Sequence, residues 1–234
     1  MRLDKYLNDI LNLGRKDLHR IIKAGRVTVN GEVQSSPDHK ISEDSDVVCM
    51  DGEKIMYRKY FYYMMNKPDG YITAMDDRRQ ATIAELLPKA VLDQNVFPVG
   101  RLDKDTTGLI FLTSDGQFAH RLISPKYSVE KVYHVGFQGD LLDDAETLFQ
   151  QGIHLDDGTV CLPAKLERVD ENKCIVTVTE GKYHQVTRMI AAVGGTVISL
   201  HRQEIGGISL DPALDRGEIR QLTDNELCIL MTLF

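Results

Sequence analysis

The 234-residue sequence predicts an α+β protein in which a small α/β unit precedes a larger unit built on a mixed, largely antiparallel sheet. Three observations lead there. Apolar residues near the start recur at helical spacing and give way to a tight-turn hairpin. From Tyr60 onward the pattern changes to short apolar strands broken by turns. Strands in that second part outnumber helices, without the regular βαβ alternation that a parallel sheet demands.

In the first part, Leu3, Leu7, Ile10 and Leu11 predict one helix, and Leu18, Ile21 and Ile22 a second that ends at Gly25. Lys16, Arg20 and Lys23 stand at i, i+4 and i+7, so the second helix carries three cations on one face. Taken alone, such a face is ordinarily just solvated. Val27-Thr28-Val29, the turn Asn30-Gly31 and the returning Glu32-Val33 predict a hairpin. An acidic segment from Asp38 to Glu53 leads to a linker at Arg58-Lys59, which divides the chain into residues 1–59 and 60–234.

In the second part, Phe61 to Met65 predicts a strand running into the turn Asn66-Lys67-Pro68-Asp69-Gly70. Thr82 to Glu85 forms a capping box for a short helix that stops at Pro88. Val96 to Val99 and Leu109 to Leu112 predict strands around the loop Gly100 to Gly108. Further strands are expected at Val129 to Phe137, Cys174 to Thr179 and Thr196 to His201. Helices are expected at Gln117 to Ile123, His184 to Val193 and, behind the capping box Thr223 to Glu226, at the C-terminus.

The net charge of −7 argues at first against a nucleic-acid partner, but the charge is unevenly spread. Met1 to Arg26 holds seven basic residues (Arg2, Lys5, Arg15, Lys16, Arg20, Lys23, Arg26) against three acidic ones. Phe137 to Asn172 holds nine acidic residues against Lys165 and Arg168, so one segment accounts for the sign. No apolar run approaches the roughly 20 residues of a membrane span, and the charged N-terminus does not read as a signal peptide. The expected setting is therefore cytoplasmic. Cys49, Cys161, Cys174 and Cys228 are scattered, with no CxxC pair and no clustered histidine. They are expected to be reduced and buried, with neither a disulfide framework nor a zinc site.

RLDKYL followed by GRKDLHRIIKAGRVTVNG resembles the alpha-L RNA-binding domain first named for a small-subunit ribosomal protein. That resemblance implies that the basic second helix meets folded RNA. The string GRLDKDTTGLIFLTSDG resembles the central motif of the bacterial pseudouridine synthases: GRLD, two variable residues, T, one variable residue, GL, then T, one variable residue, DG. Every fixed position is matched. Asn66 to Gly70, Lys131-Val132-Tyr133-His134-Val135 and Glu180 to Met189 resemble three further motifs of that family, in the same order. Alone, Asp103 would more often be a turn residue, Tyr133 a strand aromatic and Arg188 a surface charge. Their co-occurrence in order defeats those readings.

The resemblance implies an RNA isomerase that cleaves the bond between ribose and N1 of uracil, turns the base and rejoins it through carbon 5, with no metal or cofactor. Asp103 matches the essential carboxylate and Tyr133 the tyrosine that stacks on the base. Arg188 matches an arginine beside that carboxylate, which would favour its ionised form. Thr187 stands where the family usually has another basic residue. Arg101 matches an arginine that fills the gap left by an extruded base. Lys67, Lys131, His184 and Gln185 are expected to contact RNA; His184 and Arg188, four apart on a predicted helix, should share a face.

GKYHQV and LHRQEIGGISL resemble the RsuA-type, small-subunit branch. The implied partner is ribosomal RNA or an assembling small subunit, and family habit implies a monomer. The alternatives are a large-subunit enzyme and an assembly factor that kept the fold and lost catalysis; neither Asp103 nor Tyr133 is missing, as the latter would require. A hydrolase pairing Asp103 with Asp105 fits poorly, because residues i and i+2 of an extended loop face opposite ways.

Overall fold

The computed structural model describes residues 1–11, 13–43, 45–55 and 59–234. Arg58 of the expected linker lies outside them. The chain forms two compact units, Met1–Tyr60 and Phe61–Phe234.

In the first unit, helices α1 (Leu3–Leu11) and α2 (Arg15–Lys23) precede strands β1 (Val27–Val29), β2 (Glu32–Gln34), β3 (Val48–Met50) and β4 (Glu53–Ile55). The strands form an antiparallel sheet in the order β2-β1-β3-β4. Asn30 and Gly31 both take positive φ, as the tight turn between β1 and β2 requires. Leu3, Leu7, Leu18, Ile22, Val27 and Val48 close a small core. Burying Leu18 and Ile22 turns Lys16, Arg20 and Lys23 outward. The acidic segment that follows the hairpin contributes β3 and β4, which its charge conceals in the sequence.

The second unit is a nine-stranded sheet of β5 (Tyr62–Lys67), β6 (Phe97–Pro98), β7 (Thr107–Thr113), β8 (Lys131–Gln138), β9 (Lys165–Asp170), β10 (Lys173–Val178), β11 (Thr196–Ile205), β12 (Ile208–Ser209) and β13 (Ile219–Gln221). Its main path runs β13-β5-β7-β11-β8-β10-β9. The β7/β11 pair is parallel and the other pairs are antiparallel, which makes the protein α+β. Helices are α3 (Lys89–Leu92), α4 (Gly116–Ile123), α5 (Ala145–Gln151), α6 (Gln185–Ala192) and α7 (Asp224–Met231).

Strands β5 and β7 are buried on both faces, which explains why they read as continuous apolar runs. Tyr63, Met65, Ile110 and Leu112 enter one core with Tyr133 and with Val186, Met189 and Ile190 around α6. Met64, Leu109 and Phe111 point the other way, onto Phe118 and Leu122 of α4. The capping box at Thr82 and Glu85 is present, but it opens a 3₁₀ turn, and α3 begins directly after Pro88. Asp115, a fixed position of the central motif, caps α4 by accepting from the backbone N–H of Gln117 and Phe118 at 3.0 and 3.1 Å. Cys161 and Cys174 are buried as expected, whereas Cys49 is half-buried and Cys228 is exposed on α7. Among the described residues, no helix is long and apolar enough to cross a membrane.

The loop between β6 and β7 is laced to the turn after β5. Lys67 ends β5 fully buried, and its Nζ donates to the carbonyls of Pro68, Asp103, Lys104 and Thr106 at 2.8 to 3.1 Å. The expectation that Lys67 contacts RNA gives way to an internal role, because its donors are spent inside the protein. Gly70 N donates to Lys104 O at 3.0 Å, and the Thr73 hydroxyl both donates to Leu102 O (2.8 Å) and accepts from Leu102 N (3.0 Å). Replacing Lys67 with Met should leave those carbonyls without their donor, at roughly 1–3 kcal/mol for each one that water cannot reach. Lys67→Met should therefore lower the unfolding free energy by about 2–5 kcal/mol and make residues 100–108 the first site of limited proteolysis. Urea unfolding and mass mapping of the nicks check this, and an unchanged midpoint with an intact loop contradicts it.

Candidate active site

A cavity of about 600 Å³ opens beside that loop, lined by residues 99–104, by Lys131 and Tyr133 of β8, by the turn 180–186, and by Leu200, Arg202 and Ile205 of β11. Strands and loops from widely separated parts of the chain therefore converge on it. Lys67 fixes the Asp103 backbone, while the carboxylate stays 45 % exposed at the cavity. Such an arrangement leaves the acid free to meet a substrate and its position already set. Arg101 is exposed on the same wall.

Tyr133 alternates inward on β8 with Lys131 and Val135, and all three are buried. The Lys131 ammonium donates to Val129 O at 2.8 Å. Burial pushes Lys131 down to about 8, and the neighbouring Arg202 charge adds to that shift. Burial likewise pushes Lys67 down to about 8 against the opposing pull of Asp105, Asp69 and Asp103, so both lysines remain mostly protonated at neutral pH.

The turn 180–185 is braced from within. Glu180 is buried and accepts from Leu162 N (2.8 Å), Gln185 Nε2 (2.9 Å) and the Lys182 ammonium. Gln185, expected to touch RNA, is 5 % exposed, and its Oε1 also accepts from Lys182 N. It shapes the cavity wall from inside the turn. His184 is the residue before α6, with φ of 47° in the left-handed region, and its Nε2 lies 3.4 Å from Asp103 Oδ1.

That conformation removes the expected shared face of His184 and Arg188. The helix begins only at Gln185, so the rule that residues four apart share a face does not extend back to His184. Arg188 projects away from the cavity and pairs with Asp156 (2.8 Å) and Asp157 (2.7 Å). The buried arginine of the cavity wall is Arg202, 3 % exposed. Its Nε donates to Leu109 O at 2.8 Å, its Nη1 reaches the Tyr133 hydroxyl at 3.4 Å, and its guanidinium lies 5.9 Å from the Tyr133 ring centre. Arg202 Nη2 is buried with no hydrogen-bond partner, and among the described residues no carboxylate forms an ion pair with this side chain. The sequence holds a signal for it: Arg202 falls within LHRQEIGGISL and opposite Tyr133 on a paired strand. Only the strand register makes that visible.

Of the cations in the first unit, Arg2 is paired with Asp4, Arg20 with Asp17 and Arg26 with Asp51, all from exposed positions. Lys5, Arg15, Lys16 and Lys23 are exposed.

Comparison with known proteins adds the lineage. Residues 61–192 match the family model described as RNA pseudouridylate synthase, and residues 1–48 match the S4 domain. The chain is 42% identical over 98% of its length to the uncharacterized RNA pseudouridine synthase YtzG of Bacillus subtilis, with 98% of that protein covered. It is 43% identical to the ribosomal small subunit pseudouridine synthase A of Vibrio cholerae and 40% identical to that of Escherichia coli K12, each over 97% of this chain and 98% of the relative. A solved structure, described as the crystal structure of pseudouridylate synthase, superposes with a TM-score of 0.70 at 37% identity, covering 98% of this chain and 99% of that one. With the synthase family model matched over more than half of the chain and about 40% identity over nearly its whole length to these relatives, the chain belongs to the RNA pseudouridylate synthase family.

Proposed function

We propose that this protein isomerises one uridine of small-subunit ribosomal RNA to pseudouridine in the cytoplasm, acting as a monomer with Asp103 as the reacting carboxylate. The observation that carries this reading is the Asp103 carboxylate, held by its backbone at the mouth of a cavity walled by a buried tyrosine and a buried arginine. The small-subunit assignment follows the names of the relatives from Vibrio cholerae and Escherichia coli.

The reaction breaks the N1–C1′ bond and makes a C5–C1′ bond; the hydrogen on C5 leaves and N1 gains one, so the base is rearranged with nothing added. A carboxylate serves this chemistry only while ionised. Arg202, in place of Arg188, supplies a buried positive charge in the wall of the same cavity. Its contact with the Tyr133 hydroxyl also fixes the ring on which the uracil would stack. To reach this site the base must leave its own stack, and exposed Arg101 on the cavity wall is placed to fill the gap. Exposed Lys5, Arg15, Lys16, Arg20 and Lys23 of the S4 domain supply phosphate contacts, which position RNA without reading bases.

Two experiments test the chemistry. Pseudouridine mapping by reverse transcription, on small-subunit RNA from cells with and without the gene, should show one site disappear with the gene. In vitro, Asp103→Asn should stay folded by circular dichroism, bind RNA at least as well as wild type, and make no pseudouridine. Asp105→Asn, at a variable position of the motif, should retain substantial turnover. Comparable turnover by Asp103→Asn would refute the assignment.

A further prediction concerns affinity. Replacing Lys16, Arg20 and Lys23 together with alanine should flatten the salt dependence of RNA binding, by about 0.7–0.9 in log–log slope for each phosphate that is no longer neutralised. The same uridine should still be modified at high enzyme concentration. An unchanged slope removes α2 from the interface.

A further inference from the structure

We propose that Tyr183 and His184 form a stacking shelf for the unpaired nucleobase next to the target uridine; this rests on the assignment of the cavity to uridine isomerisation. Tyr183 is 76 % exposed, more than any other large apolar side chain among the described residues. Such exposure keeps an aromatic surface in water at the rim of a cavity, where it is available to a partner. One face of the ring is already taken. The imidazole of His184 stacks on it with centroids 3.9 Å apart and planes 17° from parallel.

His184 is in turn held in place. Its backbone sits in the left-handed region at φ 47° and ψ 37°, where a non-glycine residue persists only if its surroundings demand it, and its Nε2 is 3.4 Å from Asp103 Oδ1. Carboxylate, imidazole and phenol ring therefore follow one another in a row from the reacting group to solvent. A flat group laid on the free face of Tyr183 is the next layer of that row. The base adjoining an extruded uridine is the flat group that the RNA brings within reach, because the backbone ties it one nucleotide away from the residue at Asp103.

The charges around the shelf select the class of partner. Arg101 and Lys104 line the same cavity from exposed positions, and neither is ion-paired among the described residues. Lys182 is neutralised by Glu180, so it does not compete for phosphate. An aromatic platform flanked by unpaired cations suits a single strand of RNA, whose bases stack and whose phosphates need counter-charge. The shelf accordingly makes the enzyme require an unstacked neighbour at the target, as in a loop, and disfavours a uridine inside a continuous helix.

The test uses the whole protein and an in vitro transcript of small-subunit ribosomal RNA, first with wild type and then with Tyr183→Phe and Tyr183→Ala. Tyr183→Phe keeps the ring and should match wild type. Tyr183→Ala should raise KM by about 5- to 150-fold, as loss of one base–aromatic stack implies, with kcat nearly unchanged. Replacing one of the two nucleotides flanking the target with an abasic residue should raise the wild-type KM by a similar factor and add little to Tyr183→Ala. Absence of pseudouridine with wild type would mean that the underlying functional reading has failed. With an active wild type, the shelf is overturned by an unchanged KM in Tyr183→Ala, by a loss confined to kcat, by an equal loss in Tyr183→Phe, or by full additivity with abasic residues on both sides.

Discussion

The ammonium group of Lys67 is buried, and among the described residues no carboxylate is bonded to it; four backbone carbonyls surround it instead, three of them from the loop that carries Asp103. Removing an ammonium from water is costly, and that cost is recovered only where its donors all find acceptors. The loop that carries Asp103 provides three of the four. A loop of mostly charged and polar residues has little more than Leu102 to bury in the core, so a buried cation at the end of β5 supplies anchorage that packing alone does not. The side chain of Asp103 can then stay about half in solvent while its backbone is held from behind by the lysine. Thr73 and Gly70 extend the same lacing to the flanks, so the turn after β5 and the loop before β7 behave as one piece.

Around the cavity this arrangement concentrates positive charge in a chain whose net charge is −7. Lys67 and Lys131 are buried and satisfied by carbonyls, which cancel none of their formal charge. Arg202 adds a third buried cation with one nitrogen left without an acceptor. Lys131 and Arg202 line the cavity together with the carboxylates of Asp103 and Glu180. The acidic stretch from Phe137 to Asn172 provides Asp156 and Asp157, which draw Arg188 off in another direction. Global charge therefore misleads about the partner, and local charge at a stated depth does not.

Strands and the central loop are legible in the sequence because both depend on short-range pattern. Two-faced burial of β5 and β7 produces apolar runs, and the exposed loop that leads into β7 is polar. Roles that depend on register are hidden. Lys67 resembles a solvated turn residue until its strand is paired with β7, and Gln185 resembles an RNA contact until Glu180 is found beside it. Arg188 is drawn off by Asp156 and Asp157, which only the tertiary fold brings to it, while left-handed His184 stands before the helix. Arg202 lies within a recognisable motif, yet only the β8/β11 and β7/β11 registers bring it to Tyr133 and Leu109.

Those registers in turn explain a glycine of the central motif. Gly108 pairs with Arg202 across the β7/β11 contact and takes a φ of +103°, which L side chains rarely adopt. A Cβ there would lie 2.3 Å from the Arg202 carbonyl oxygen, a backbone atom that cannot swing aside. The absence of a side chain at Gly108 is thus what lets β11 approach closely enough for the Arg202 guanidinium to reach Leu109 O and the Tyr133 hydroxyl. The glycine that closes the Asp103 loop and the arginine that charges the cavity wall stand far apart in the chain and form one constraint, because a side chain at Gly108 would push β11 off β7 and carry Arg202 with it.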